Sequence, residues 1–244
     1  MGGVGNLLFE IAHAYTYSLR FNKQFELYDS LYQQAHHTDR AQFADNLFAN
    51  LRFKPAPDVS FDSFYVYCEP SFGYHAIDDI PGNVRFHGHF QSFKYFQSFK
   101  TELAQLFNIN SSPPVPNTCA LHVRRGDYVS LPDHHPLQDL DYYKKAIALV
   151  GRANTFHVFS DDIPWCKEHL SALDADFIYS ENSTAPQDFN KMLNCESHII
   201  ANSTFSWWPA WFVNNRVVAP NKWFGPVYAH YNHLDLLPPE WLTL

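Results

Sequence analysis

The sequence predicts an α/β protein built on doubly wound, mostly parallel sheet. Three observations lead there. From Thr118 onward, short apolar runs alternate with helix-patterned segments, and that alternation builds successive βαβ units. A stretch rich in proline and serine, Ser111 to Pro116, separates this half from the first. It reads as a linker, so two domains are expected, residues 1–112 and 113–244. The apolar run Cys119-Ala120-Leu121-His122-Val123 stops abruptly at Arg124-Arg125-Gly126-Asp127, and in open α/β sheets the carboxyl ends of strands are where ligands sit.

Composition narrows the classes. The chain has 244 residues, 46% of them hydrophobic and 17% aromatic, which is ample for a core. Its net charge of -8 and the lack of any lysine/arginine run argue against nucleic acid as a partner. Cys68, Cys119, Cys166 and Cys195 stand far apart with no metal-binding spacing, and read as isolated buried thiols in a reducing compartment. The histidine pairs His36-His37 and His134-His135 face apart on any regular element, so no metal is assigned. No apolar run has the length of a membrane span, and no signal peptide precedes the first motif. A soluble, cytoplasmic protein is expected, with peripheral membrane association left open.

The elements follow in order. Gly2-Gly3-Val4-Gly5-Asn6 is a glycine turn opening an apolar helix from Leu7, and a helix N-terminus presents N–H groups to an anion. Such turns usually follow a strand, and none precedes this one. The expectation is an in-frame apolar run upstream, or a first sheet lacking its first strand. Strands are expected at 25–28, 64–67 and 84–90, and a helix from Gln91 to Phe107; residues 30 to 60 carry no clear pattern. After the linker come strands at 121–123, 155–159, 177–179, 198–201 and 216–219. Helices lie between them at 142–150, 164–170, 186–193 and 204–213. Trp207-Trp208-Pro209-Ala210-Trp211 lies on the last of these and reads as core.

Three strand ends of the second half carry polar clusters: His122/Arg124/Arg125, Ser160-Asp161-Asp162 and Asn202-Ser203-Thr204-Phe205-Ser206. Parallel strands bring their carboxyl ends to one edge, so the clusters should converge. Arginine forks suit phosphate oxygens, a carboxylate accepts paired N–H donors such as a guanine edge, and hydroxyls at a helix start donate to phosphate. A single cluster would read as helix caps at Asp162, Ser203 or Thr204; three on one edge favour a nucleotide. No GxxxxGK[ST] occurs, which disfavours a P-loop kinase.

Taken in order, Gly2–Asn6, Gly88-His89-Phe90-Gln91-Ser92-Phe93-Lys94-Tyr95-Phe96, His122-Val123-Arg124-Arg125-Gly126-Asp127-Tyr128, Phe159–Asp162 and Ala201–Trp208 resemble the α-1,2-fucosyltransferase family, glycosyltransferase family 11. The resemblance spans nearly the whole chain and is most specific at HxRRGDY. It implies a GT-B architecture, with two facing Rossmann-like domains and mostly parallel sheets. Residues 1–112 would form the acceptor side, and 113–244 would bind GDP-fucose. The implied reaction is inverting transfer of fucose to the 2-hydroxyl of a galactoside, with no cofactor and no metal. The implied partners are GDP-fucose and a galactose-terminated glycan.

By the same resemblance, Arg124 meets the β-phosphate and Arg125 supports it. His122 and Asp162 address guanine, while Ser203, Thr204 and Phe205 line the diphosphate. Gly3, Gly5 and Asn6 approach the nucleotide sugar from across the cleft. Asp127, the carboxylate nearest in sequence to the arginine grip, is a candidate base, or else an orienting partner of Arg124 or Arg125. Leu7 stands where the family usually has glutamine. The acceptor is expected to be chosen by residues 30 to 80 and the loop Val129 to Leu140. A non-catalytic nucleotide-sugar- or glycan-binding homologue is the rival reading, and turnover separates the two.

Overall fold

A computed structural model describes residues 2–29, 40–55, 60–110, 112–151 and 155–244. The His36-His37 pair and much of the unpatterned 30 to 60 stretch lie outside them. The chain divides into two compact units, Met1–Asn110 with Tyr231–Leu237, and Ser111–His230 with Pro238–Leu244.

In the first unit, helix α1 (Val4–Arg20) follows the glycine turn and buries Leu7, Leu8, Phe9, Ile11 and Ala12. Strand β1 (Leu27–Tyr28) pairs in parallel with β2 (Phe53–Lys54), and β3 (Tyr65–Cys68) with β4 (Val84–His87). Among the described residues these are two separate two-stranded ladders. The strand expected over 84–90 stops at His87. There the Glu69 carboxylate takes over as acceptor for the N–H groups of His89 (2.7 Å) and Phe90 (3.1 Å), and Phe90 turns to φ +49°.

The helix expected from Gln91 to Phe107 is also corrected. It is two 3₁₀ turns, Phe93–Tyr95 and Gln97–Phe99, followed by α2 (Lys100–Leu106). The Phe93 N–H donates to the Asp235 carbonyl (3.1 Å), and Ser92 caps the first turn through Lys94 N–H. The same contacts hold Tyr231–Leu237 in this unit. Lys94 pairs with the Asp235 carboxylate, Tyr231 stacks on Phe72 at 5.0 Å, and Leu236 is buried.

In the second unit the elements are β5 (Val115–Val123), α3 (Leu140–Val150), β6 (Thr155–Ser160), α4 (Ile163–Leu170) and β7 (Asp176–Tyr179). They continue with α5 (Ala185–Leu193), β8 (Cys195–Ile199), α6 (Thr204–Val213), β9 (Arg216–Ala219) and β10 (Leu242–Thr243). The strands form one six-stranded sheet, ordered β10-β9-β8-β5-β6-β7, with every pairing parallel. The chain winds outward from β5 through β6 to β7, then returns to β8 and winds the other way. That order is doubly wound, with its switch point between β5 and β8.

Strand β5 begins earlier than expected and runs through Pro116-Asn117. A bulge absorbs them: register shifts between Val115 and Cys119, Asn117 sits at φ +56°, and its N–H donates to the Glu196 carboxylate (2.8 Å). Alternation along β5 then separates two cores. Cys119, Leu121 and Val123 pack with Tyr143, Ala146 and Ile147 of α3, Phe156 and Val158 of β6, and Cys166 and Leu170 of α4. Ala120 faces the other way, with Phe159, Met192 and Cys195. Trp207, Trp208 and Trp211 are buried, as their sequence context suggested. Three thiols are buried and free, but Cys68 is exposed at the end of β3, which corrects the expectation for that residue.

Three buried histidines tie the fold to pH. Burial holds His13 and His122 down at about 3 and His198 at about 4. The folded protein keeps them neutral, whereas the unfolded chain takes up protons near the ordinary value of about 6.5. Their contribution is therefore fully present above that value and is lost as pH falls below it. His13 stacks on Phe90 at 4.0 Å, so phenylalanine fits its place. In urea unfolding from pH 8 to pH 4, His13→Phe should remove one proton, about 1.4 kcal/mol per pH unit, from the acid slope. An unchanged slope would overturn the assignment.

Candidate functional site

The site is built from the end of β5. His122 is the last inward-facing residue on the Ala120 side, and it is buried. Its Nδ1 lies 2.8 Å from Ser206 Oγ in the first turns of α6, and its ring is 5.9 Å from that of Phe205. This contact spans the switch point between β5 and β8. Burial, aided by Arg124, keeps the imidazole neutral, so it offers hydrogen bonds rather than charge.

Beyond Val123 the chain leaves the sheet and both guanidiniums meet carboxylates. Arg124 Nη2 donates to Asp127 Oδ1 (2.5 Å), and its Nη1 lies 2.8 Å from Asp161 Oδ2. Arg125 uses two groups. Its backbone N–H donates to Asp161 Oδ1 (2.9 Å) and its Nε to Asp162 Oδ2 (2.9 Å). The Asp162 side chain also accepts from Trp165 N–H at the start of α4 (3.2 Å), so the helix cap and the arginine partner are one carboxylate. The Arg125 bond, above all, holds Asp162 below the usual carboxylate range.

Gly126 turns against this pair. A Cβ built there would lie 2.5 Å from Asp161 Oδ2. The guanidiniums also rest on rings, Arg124 5.3 Å from the Tyr128 centroid and Arg125 4.2 Å from Trp165.

The β8 exit supplies the other wall. Ser203 caps α6, its hydroxyl accepting from Phe205 N–H at 3.4 Å, and Thr204 opens the helix. Asn202 is a buried hub. Its Oδ1 accepts from Gln138, its Nδ2 donates to the Trp223 carbonyl, and its carbonyl accepts the Tyr128 hydroxyl at 3.0 Å. In chemical terms this edge offers guanidinium donors, hydroxyls at a helix start and a neutral imidazole, a set suited to an anion with several oxygens.

Of the residues singled out from sequence, His122, Arg124, Arg125, Asp127, Asp162, Ser203, Thr204 and Phe205 thus share one edge of the second unit. Gly3, Gly5 and Asn6 belong to the first, in the opening of α1, where Asn6 Oδ1 accepts from Gln91 Nε2 (3.1 Å). Sequence reasoning passes over Trp165 and Gln138, and it assigns Asp161 with Asp162 to guanine, whereas here Asp161 meets the Arg125 backbone N–H and the Arg124 guanidinium. Trp165 stands three residues past the Asp162 cap, one helical turn on, and that spacing was the available signal. Among the described residues, no group of three or more His, Cys, Asp or Glu is placed to hold a metal ion. No described helix is long and apolar enough to cross a membrane.

A doubly wound parallel sheet with two arginines at its switch point defines an α/β protein of the doubly wound class. Residues 68–236 match the family described as Glycosyl transferase family 11, and the chain belongs to that family. It is 36% identical over 187 residues to an alpha-1,2-colitosyltransferase of Escherichia coli, covering 68% of this chain and 64% of that one. It is 38% identical over 140 residues to the O-antigen biosynthesis glycosyltransferase WbnK of Escherichia coli, covering 52% and 45%. To the galactoside 2-alpha-L-fucosyltransferase Sec1 of Mus musculus it is 26% identical over 198 residues, covering 68% and 53%. The chain thus spans less than two thirds of the length of these relatives.

The close approach at Gly126 is testable. Gly126→Ala must push the Asp161 carboxylate from Arg124 and should cost about 1 kcal/mol in urea unfolding, the scale of a half-exposed ion pair. In an Asp161→Ala background the cost should vanish. Equal cost in both backgrounds would mean that the glycine is needed for some other reason.

Proposed function

We propose that the chain transfers L-fucose from GDP-β-L-fucose to the 2-hydroxyl of a galactose-terminated glycan, with inversion at the anomeric carbon. The observation that carries this reading is the Arg124/Arg125 pair at the switch point of a chain belonging to family 11. The second unit would hold GDP, and the first, bearing Gly3, Gly5 and Asn6, would serve the acceptor side. The setting is proposed to be cytoplasmic.

In this reaction the acceptor oxygen attacks the anomeric carbon from the face opposite the diphosphate. The bond from that carbon to the phosphate oxygen breaks, its electron pair stays on GDP, and the acceptor proton goes to a base or to water. The charge that develops on the β-phosphate is what a planar, permanent cation can stabilise. Arg124 is assigned to it and Arg125 supports it. His122 and Asp162 are assigned to the purine, and Ser203, Thr204 and Phe205 to the diphosphate. No cofactor is needed. Asp127 is already bonded to Arg124, which favours the orienting role over the base. The similarity to a colitosyltransferase favours a second donor reading, GDP-colitose, whose sugar is fucose without its 3-hydroxyl.

The deciding assay supplies GDP-fucose or GDP-colitose with a panel of β-galactosides and measures GDP release and product linkage. GDP binding with no release for either donor would favour the non-catalytic reading. Arg124→Lys keeps the charge and loses the fork, so kcat/KM should fall by the equivalent of about 2–4 kcal/mol. Asp127→Asn separates the two roles: an orienting carboxylate loses GDP affinity together with turnover. A true base loses turnover by about a hundredfold or more while affinity holds. Because the arginines are assigned to the leaving group, excess EDTA should leave turnover intact; loss restored by manganese would sink that assignment.

A further inference from the structure

Each guanidinium of the pair lies over an aromatic ring, and each ring stacks with an imidazole. Tyr128, under Arg124, stacks on His135 with centroids 4.5 Å apart and planes 14° apart. Trp165, under Arg125, stacks on His169 at 4.3 Å and 15°. The two stacks come from unrelated pieces of chain, one from the loop after β5 and one from consecutive turns of α4.

Both are fixed from behind. His169 Nδ1 is 2.9 Å from the Trp165 carbonyl. His135 meets the rings of Phe224 and Tyr228 at 6.2 and 5.7 Å. Its loop is tied to that segment by the Gly225 N–H to the His134 carbonyl (2.8 Å) and the Val227 N–H to the Asp133 carbonyl (3.0 Å). The Tyr128 hydroxyl is anchored on the Asn202 carbonyl.

The rings and the carboxylates do different things to an arginine. Asp127, Asp161 and Asp162 engage the N–H edges, which are the groups an incoming diphosphate needs. A ring attracts the cation through its π face, and it is not one of the acceptors that an incoming diphosphate must displace. We propose that Tyr128–His135 and Trp165–His169 are positioning stacks that hold the two guanidinium planes ready for a diphosphate, so that His135 and Trp165 act through the arginines and not on the substrate. The diphosphate part rests on the function proposed above; the holding of the arginines does not.

The test begins without ligand. In protein labelled with [15N]arginine, the Nε–H resonances of Arg124 and Arg125 are assigned with Arg→Lys variants, and their exchange with solvent is measured. His135→Ala should speed exchange at Arg124 about fivefold or more and leave Arg125 unmoved, while His135→Phe, which keeps a ring, should restore it. Trp165→Leu should do the same to Arg125, and Trp165→Phe should restore much of the protection.

GDP titration by calorimetry then reads the consequence. His135→Ala and Trp165→Leu should each weaken binding about three- to tenfold, and His135→Ala should add nothing in an Arg124→Lys background. Unmoved arginine resonances in folded variants would overturn the proposal, as would an equal loss of affinity with and without Arg124. Wild-type protein that fails to bind GDP would bring down the proposed function, while the resonances still decide whether the stacks hold the arginines. If His135→Ala does not fold, the Trp165 variants on the half-buried face of α4 decide it.

Discussion

Two positive charges at the carboxyl end of β5 set the demands on everything around them. A guanidinium cannot lose its protons and is costly to leave unpaired near a protein interior. Arg124 and Arg125 sit at the exit of β5 beside the start of α4, so the chain must bring acceptors to them. Asp161 is shared between the Arg124 side chain and the Arg125 backbone, and Asp162 between Arg125 and the cap of α4. The demand explains local details that otherwise look accidental. Gly126 leaves room for the Asp161 carboxylate, and the Ser160 hydroxyl accepts the Asp162 N–H at 2.9 Å, which fixes the turn that presents both aspartates.

The parallel sheet makes this arrangement affordable. Because β5, β6 and β8 all run the same way, their exits meet on one edge without long excursions of the chain, and helix N-termini arrive there with them. The inward side of the same edge is kept neutral. His122 is uncharged by burial and joined to Ser206, and Asn202 satisfies its amide and carbonyl wholly within the protein. Charge is thus confined to the outer layer of arginine–carboxylate pairs, while the layer beneath is a neutral hydrogen-bonded floor resting on apolar side chains.

Much of the second unit was legible in the residues. Its alternation of short apolar runs and amphipathic segments has only a few physical solutions, and the helix over 204–213 matches its expected bounds. Errors fell where a distant partner overrides local preference. The run from Gln91 has helical pattern, yet Phe93 gives its N–H to Asp235, more than a hundred residues on, and the helix breaks into 3₁₀ turns. Pro116-Asn117 reads as a strand boundary until Glu196 accepts the Asn117 N–H and makes it a bulge. Tyr231–Leu237 carries no mark in its own residues of belonging with the first unit.

By itself, then, the sequence determined the α/β class and the gathering of His122, the arginines, Asp162 and Ser203 on one edge. These follow from periodicity and from the rule that parallel strands end together, and both are local or topological facts. Only the tertiary structure decided which group each one meets. Arg125 finds Asp161 and Asp162 across 36 and 37 residues, His122 finds Ser206 across 84, and the two arginines find Tyr128 and Trp165 as their seats. Partner choice at that separation depends on sheet register and on how close the helices come to the sheet, and neither is written in any short stretch of residues.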